Sequence, residues 1–295
     1  MSAHVPVLPV ETLKLLDPQA GETFVDATVG LGGHAALLAE KLGPTGRLIA
    51  VDQDPESLAI AQSRQFACPV VWLRGNFQDL GWLLRDAGVS RVDGVLADLG
   101  VSSPQLDRPE RGFSFLRDGP LDMRMDPDAG ETAASLIARM NERDLANLIW
   151  EFGEERHSRR IAARIVETRR KEKLNTTGRL AQLVRSVVPS PPPWKGGIDG
   201  ATRTFQALRI AVNGELDALD SLLAGLPEIL TPGGRAGLIS FHSLEDRRVK
   251  QAFADRERWE VRTKKPVQAD DEERAANPRS RSAKLRVAVL RGPPD

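Results

Sequence analysis

Residues Phe24-Val25-Asp26-Ala27-Thr28-Val29-Gly30-Leu31-Gly32-Gly33-His34 constrain the fold most. An apolar pair leads into the stretch, and Ala35, Leu37, Leu38 and Leu42 lead out of it at helical spacing. A strand, a glycine turn and a helix start, in that order, make the place where an open α/β sheet holds a nucleotide-like cofactor. Gly30-x-Gly32-x-x-Ala35 also fits the loose dinucleotide fingerprint, so the turn alone leaves the cofactor open.

The surrounding chain repeats the same rhythm. Strand signals fall at residues 23–27, 47–52, 70–74 and 92–98, with helical stretches between them. Gly43-Pro44 stops the first helix, Asp54-Pro55 starts the second, and a third covers residues 80–87. This alternation implies a parallel, doubly wound sheet. It breaks after Pro104. Residues 106–200 show helical periodicity at 144–150, 158–170 and 179–188 and no convincing strand, so they read as a helical insertion domain. Residues 1–105 and 201–295 then form one discontinuous domain. Phe205, Leu208, Val212, Leu216 and Leu219 trace one helix face. Thr231-Pro232-Gly233-Gly234 reads as a turn, 236–240 as a strand and 244–253 as a helix. Strands at 259–263 and 285–290 flank a charged loop, 266–283. Seven strands, with no crossover helix between the last two, suggest a Rossmann-like, methyltransferase-type sheet whose final strand is antiparallel.

Charge separates the cofactor classes. A dinucleotide brings a doubly negative pyrophosphate to the glycine turn. S-adenosylmethionine brings a sulfonium, an ammonium and one carboxylate. Asp26 ends the first strand and Asp98 the fourth, so both face the crevice where ligands gather. Each carboxylate would repel a pyrophosphate by roughly 1–4 kcal/mol at about 4 Å and would attract a cation instead. The sign favours S-adenosylmethionine over a nicotinamide cofactor. Asp52, closing the second strand, suits ribose hydroxyls in either class. Phe77 reads as a ring over an adenine or as a core aromatic.

Bulk composition bounds the rest. The chain has 295 residues, with 41 Lys plus Arg against 41 Asp plus Glu, so a polyanion would have to meet a local basic patch. The single cysteine, Cys68, fits a reducing compartment. No signal peptide or membrane-length apolar run is present, and a cytoplasmic protein is expected. Four histidines without paired spacing give no metal-ligand motif.

Several further blocks follow in order. They are Asp98-Leu99-Gly100-Val101-Ser102-Ser103-Pro104-Gln105-Leu106-Asp107, Arg111-Gly112-Phe113-Ser114-Phe115 and Gly119-Pro120-Leu121-Asp122-Met123-Arg124-Met125. Arg203-Thr204-Phe205-Gln206-Ala207-Leu208-Arg209-Ile210 and Ser240-Phe241-His242-Ser243-Leu244-Glu245-Asp246-Arg247 complete the set. With the glycine turn, they closely resemble the RsmH (MraW) family of bacterial 16S ribosomal RNA cytosine-N4 methyltransferases, across essentially the whole chain. The resemblance implies S-adenosylmethionine-dependent methylation of cytidine 1402, by the usual numbering of that RNA, in the decoding centre. It places cofactor contacts on Gly32, Gly33, His34, Asp52, Phe77, Asp98 and Gln105. The partner implied is 16S RNA or the 30S subunit, with no membrane and no obligate protein partner, and a homodimer is left open.

The chemistry narrows the candidates further. The exocyclic amine of cytosine is a poor nucleophile, and positioning it in line with a methyl group can contribute much of the rate. Asp98, Ser102 and Ser103 are candidates to line the amine pocket, although Asp98 could equally hold the cofactor. His242 could orient the base or bind phosphate, or serve only as a helix cap. Residues 154–173 hold eight Lys/Arg against four Glu, with Arg156, Arg160 and Arg164 at helical spacing. They form a phosphate-tracking face or a merely solvated one. Arg279, Arg281 and Lys284 make a second basic candidate, and Trp194-Lys195 could stack a base. The competing functions are an oxidoreductase, a methyltransferase acting on DNA or protein, and a non-catalytic RNA-binding factor on this scaffold.

Overall fold

The computed structural model describes residues 5–190 and 197–292. Trp194 and Lys195 lie outside the described residues. Two compact units emerge: Met1–Gly100 with Leu216–Asp295, and Val101–Glu215.

The first is a sheet unit. It opens with α1 (Pro9–Leu16), β1 (Thr23–Asp26), α2 (Gly33–Leu42), β2 (Arg47–Asp52), α3 (Pro55–Gln62), β3 (Val70–Arg74), α4 (Leu80–Asp86) and β4 (Val92–Asp98). The helical unit follows, with α5 (Ser103–Asp107), α6 (Ala133–Arg139), α7 (Glu142–Gly153), α8 (Ser158–Arg169), α9 (Thr177–Val187) and α10 (Thr202–Asn213). The chain returns to the sheet through α11 (Glu215–Ile229), β5 (Leu230–Ser240), α12 (Ser243–Ala252), β6 (Trp259–Val261), α13 (Asp271–Ala276) and β7 (Lys284–Leu290). The strand order is β3-β2-β1-β4-β5-β7-β6. All neighbours are parallel except β7, which runs antiparallel to both β5 and β6. This is the methyltransferase-type sheet expected from the sequence.

Alternation along the strands builds two cores. Val25, Ile49, Val51, Val95 and Ala97 face one side and pack with α4, α11 and α12. Phe24, Leu48, Ala50 and Leu96 face the other, against α1, α2 and α3. Strands covered on both faces need continuous apolar runs, as β2 and β4 have. The helical unit has its own core, from Phe113 through Leu145, Ile161 and Leu180 to Leu208. Three of its helices, α6, α7 and α9, start on side-chain caps. Thr132 accepts from Ser135 N–H, Asn141 from Asp144 N–H and Thr176 from Arg179 N–H.

Two local expectations change. The apolar face from Phe205 to Leu219 is not one helix. Gly214, at φ 59°, caps α10 in the left-handed conformation and starts α11 afresh. Phe205 and Leu208 accordingly join the helical core, whereas Leu219 joins the sheet core. Hence the compact units meet at 100/101 and 215/216 rather than at 105/106 and 200/201. The Thr231–Gly234 turn exists but lies inside β5, where pairing jumps from Val92↔Leu230 to Gly94↔Arg235.

Candidate active site at the carboxyl edge of the sheet

β1, β2 and β4 end together and deliver Asp26, Asp52 and Asp98 to one edge. The turn after β1 is held by its neighbours. Val29 N–H donates to Val51 O at 2.9 Å, and Gly30 N–H donates to Asp52 Oδ2 at 2.7 Å. Arg64 Nη1 donates to Leu31 O at 2.7 Å. Gly32 (φ 79°) precedes α2 and offers its N-terminus no side-chain cap. A side-chain carbon at Gly32 would meet Arg64 and Phe66 at 3.4 Å, and one at Gly33 would meet Pro6 at 3.3 Å. Gly32 is therefore favoured by its left-handed backbone angle and Gly33 by the close approach of Pro6.

The three carboxyl groups differ in their surroundings. Asp52 is well supplied: Oδ2 takes the Gly30 amide and Oδ1 takes the Asp54 amide at 2.9 Å. Burial still lifts its pKa to about 6, against the pull of those amides. Asp26 is fully buried. Its Oδ1 accepts from Thr28 N–H at 3.2 Å, but Oδ2 has no hydrogen-bond partner. Burial first, and the Asp52 charge after it, push Asp26 up to about 7. Asp98 is 26% exposed, yet its Oδ1 is shut from solvent and unpartnered. Its pKa lies well above the ordinary carboxylate value, through burial and then the charges of Asp26 and Glu245, with Arg279 opposing. Asp98 N–H donates to Thr28 Oγ1 at 2.7 Å, which fixes the strand end. His34 Nε2 lies 3.8 Å from Asp98 Oδ2.

Such a site is short of positive charge. Two buried oxygens without partners and raised acid pKa values describe a place made for a cation. A pyrophosphate there would meet the wrong sign. The family model for the MraW methylase family matches residues 1–291. The chain belongs to the MraW methylase family. Relatives named ribosomal RNA small subunit methyltransferase H include those of Sorangium cellulosum, 52% identical over 97% of this chain and 90% of the relative, and of Synechococcus elongatus, 51% identical over 97% and 94%. A Geobacter relative of the same name is 45% identical over 96% and 97%. The cofactor of this MraW methylase is S-adenosylmethionine, and the unpartnered carboxyl oxygens of Asp26 and Asp98 fit its two cationic groups.

The other expected residues fall in three places. Phe77 is half-buried after β3 and packs on the sheet core, with an edge left open. His242 precedes α12. Its Nδ1 is buried and unpartnered among the described residues, and its Nε2 lies 3.2 Å from Glu245 Oε1. The Glu245 carboxylate accepts from Phe241 N–H at 2.8 Å and from His242 N–H at 3.3 Å, closing the helix start. Ser102, Ser103 and Gln105 belong to the helical unit. There, Gln105 Oε1 accepts from Ser102 N–H at 2.9 Å, so Gln105 has a local capping role.

Among the basic residues, Arg156 and Arg160 are exposed and paired with no described residue, whereas Arg164 is held by Glu167 at 2.8 Å. Arg281 is exposed, and Arg279 is half-buried with its charge acting on Asp98. Lys284 is half-buried, with its Nζ facing Asp246 Oδ2 at 3.5 Å beside Arg286. Sequence reading gave no role to Thr28 or Pro6, which brace the end of β4 and the glycine turn. Thr28 lies two residues after Asp26 and could have been found there, whereas nothing in the sequence marks Pro6.

Proposed function

We propose that this protein methylates the exocyclic N4 amine of a cytidine in 16S ribosomal RNA, at position 1402 near the decoding centre, on free RNA or on the 30S subunit. The observation that carries the reading is Asp98, a carboxyl group at the end of β4 with a shielded, unpartnered oxygen and a raised pKa. The relatives' names support the ribosomal RNA of the small subunit as substrate.

Bound S-adenosylmethionine supplies an electrophilic methyl group on a sulfonium. Asp26 and Asp98 attract its cationic groups, Asp52 accepts from its ribose hydroxyls, and Phe77 covers its adenine. Gly32, Gly33 and His34 present the start of α2 to its carboxylate. Asp98 then accepts a hydrogen bond from the cytosine amine, turning the nitrogen lone pair toward the methyl group. Because its pKa is raised, it is a better acceptor for the proton the amine sheds than an ordinary aspartate. Ser102 and Ser103 line the amine pocket, and His242 orients the base. The helical unit, with Arg156, Arg160 and Arg164, recognises the RNA backbone together with Arg279 and Arg281. The target base must be unstacked to be reached.

The test is methyl transfer from labelled S-adenosylmethionine to free 16S RNA, assembled 30S particles and DNA, with the modified nucleoside identified. N4-methylcytidine from either RNA substrate supports the reading. A modified uridine or a modified ribose, label on DNA alone, or cofactor binding with no transfer overturns it.

A further inference from the structure

The glycine turn is braced from outside by a segment that none of the assignments above uses. Val5, Pro6, Val7 and Leu8 run over it, with Val7 and Leu8 buried. Pro6 sits so close to Gly33 that a side-chain carbon there would meet its ring at 3.3 Å. Two positions later, Leu8 holds a left-handed backbone, φ 52° and ψ 45°, which a branched side chain rarely adopts. Such strain persists only where the surroundings impose it. The Leu8 amide is tied to a residue far away in sequence. Glu273 Oε1, on α13, accepts the Leu8 N–H at 2.7 Å across a separation of 265 residues. Asn277 adds a second tie, its Nδ2 donating to Val5 O at 3.2 Å. The same Asn277 accepts the Arg279 N–H on its Oδ1 at 3.3 Å, while its carbonyl takes the Ser280 hydroxyl at 2.8 Å. One short segment thus clamps the N-terminal strap and sets the backbone of Arg279.

We propose that Glu273, helped by Asn277, is a positioning residue for the methyl-transfer site: it locks the strained Leu8 so that Pro6 holds the Gly33 turn in its cofactor-binding form. The inference rests on reading Gly32, Gly33 and His34 as the cradle for one end of S-adenosylmethionine. Glu273 touches neither cofactor nor substrate in this account. It acts through the strap, and its loss lets the turn open without removing any group that binds.

The experiment titrates S-adenosylhomocysteine calorimetrically into the full-length parent, Glu273→Ala, Glu273→Gln and Asn277→Ala proteins. Hydrogen exchange is measured over residues 30–36 and over the strands. Glu273→Ala is expected to weaken binding about fivefold, the size of one hydrogen bond's net contribution. Glu273→Gln, whose side-chain oxygen still accepts the Leu8 amide, should bind within about twofold of the parent. Exchange at 30–36 should quicken in Glu273→Ala while the strands keep their protection. Turnover at saturating cofactor should change less than affinity does. Equal binding by Glu273→Ala and the parent overturns the proposal, as does equal weakening by the Ala and Gln variants, or exchange that quickens evenly across the sheet unit. If Glu273→Ala does not fold, Asn277→Ala decides: a smaller weakening supports the strap and unchanged affinity refutes it. A parent that binds no S-adenosylhomocysteine would instead count against the cradle reading itself.

Discussion

The two units handle charge in opposite ways. At the carboxyl edge of the sheet, Asp26 and Asp98 each keep a shielded oxygen with no partner, and Asp26 and Asp52 have pKa values of about 7 and about 6. In the helical unit, α8 turns Ile161, Ala162, Ile165 and Val166 inward, and its charges stand in solvent or in surface pairs such as Arg164 with Glu167. Surface pairs of that kind contribute about 0–1 kcal/mol each and relax with salt. A buried unpaired carboxylate destabilises the empty protein and is relieved by taking up a proton or by the arrival of a cation. The sheet edge is therefore arranged for a ligand, whereas α8 keeps its charges in solvent and its apolar face in the helical core.

The largest expected effect lies at Asp98. Asp98→Asn should lower turnover by about 10²–10⁴-fold if the carboxylate takes the amine proton. Full turnover by Asp98→Ala at saturating cofactor would remove the special status of that edge. Next comes Asp26. Its folded pKa is raised from 3.8 to about 7, so the folded state holds the proton more tightly than the unfolded chain. Stability is then unaffected below about pH 4 and falls as pH rises through about 7, by a few kcal/mol in order of magnitude. Asp26→Asn should therefore melt higher than the parent at pH 8 and level with it at pH 4, while binding cofactor more weakly. A lower melting temperature at pH 8 would mean that the carboxylate is compensated in some other way.

The cofactor itself sharpens the contrast. A cation binds the ionised acids, so affinity for S-adenosylmethionine should fall as pH is lowered through about 7 and then about 6. The limit is about tenfold per pH unit for each proton displaced. Calorimetry in buffers of different ionisation enthalpy would detect those protons, and a flat profile would oppose the arrangement. On the other side of the comparison, Arg156→Ala and Arg160→Ala should each reduce the salt slope of RNA binding by about 0.7–0.9 and leave cofactor affinity alone. Arg164→Ala, already paired with Glu167, should do less. Smallest of all, Gly214→Ala should cost about 1 kcal/mol in thermal unfolding, from backbone conformation alone, since nothing lies within 4 Å of the added carbon.

Much of this arrangement is legible in the residues, for definite reasons. β1, β2 and the second half of β4 are apolar runs ending in Asp, which is the pattern a doubly covered parallel strand must have. The acids at their ends could be placed on one edge because parallel strands end together. The break between α10 and α11 was also written in the chain, as Asn213-Gly214. The apolar periodicity continued through it, and only the cores show that the two halves bury against different units. α13 was hidden within a charged loop because Asp271-Glu272-Glu273-Arg274 has no apolar face to read. Its start is fixed instead by Asp270 accepting the Glu273 N–H at 2.8 Å. The tie from Glu273 to Leu8 spans almost the whole chain, and no local pattern can announce such a contact.

The position of β7 has a consequence for biosynthesis. It is the last strand in sequence but lies between β5 and β6 in the sheet. The helical core closes with Leu208, so its apolar residues can come together while the ribosome is still adding the rest. β6, by contrast, has no strand to pair with until residues 284–290 have been made. The half-sheet must wait through that interval with the β5 edge uncovered, a template for pairing with another chain. The nascent protein is thus most exposed to misassembly just before residues 284–290 are made, and β7 both joins β6 to the sheet and closes that window.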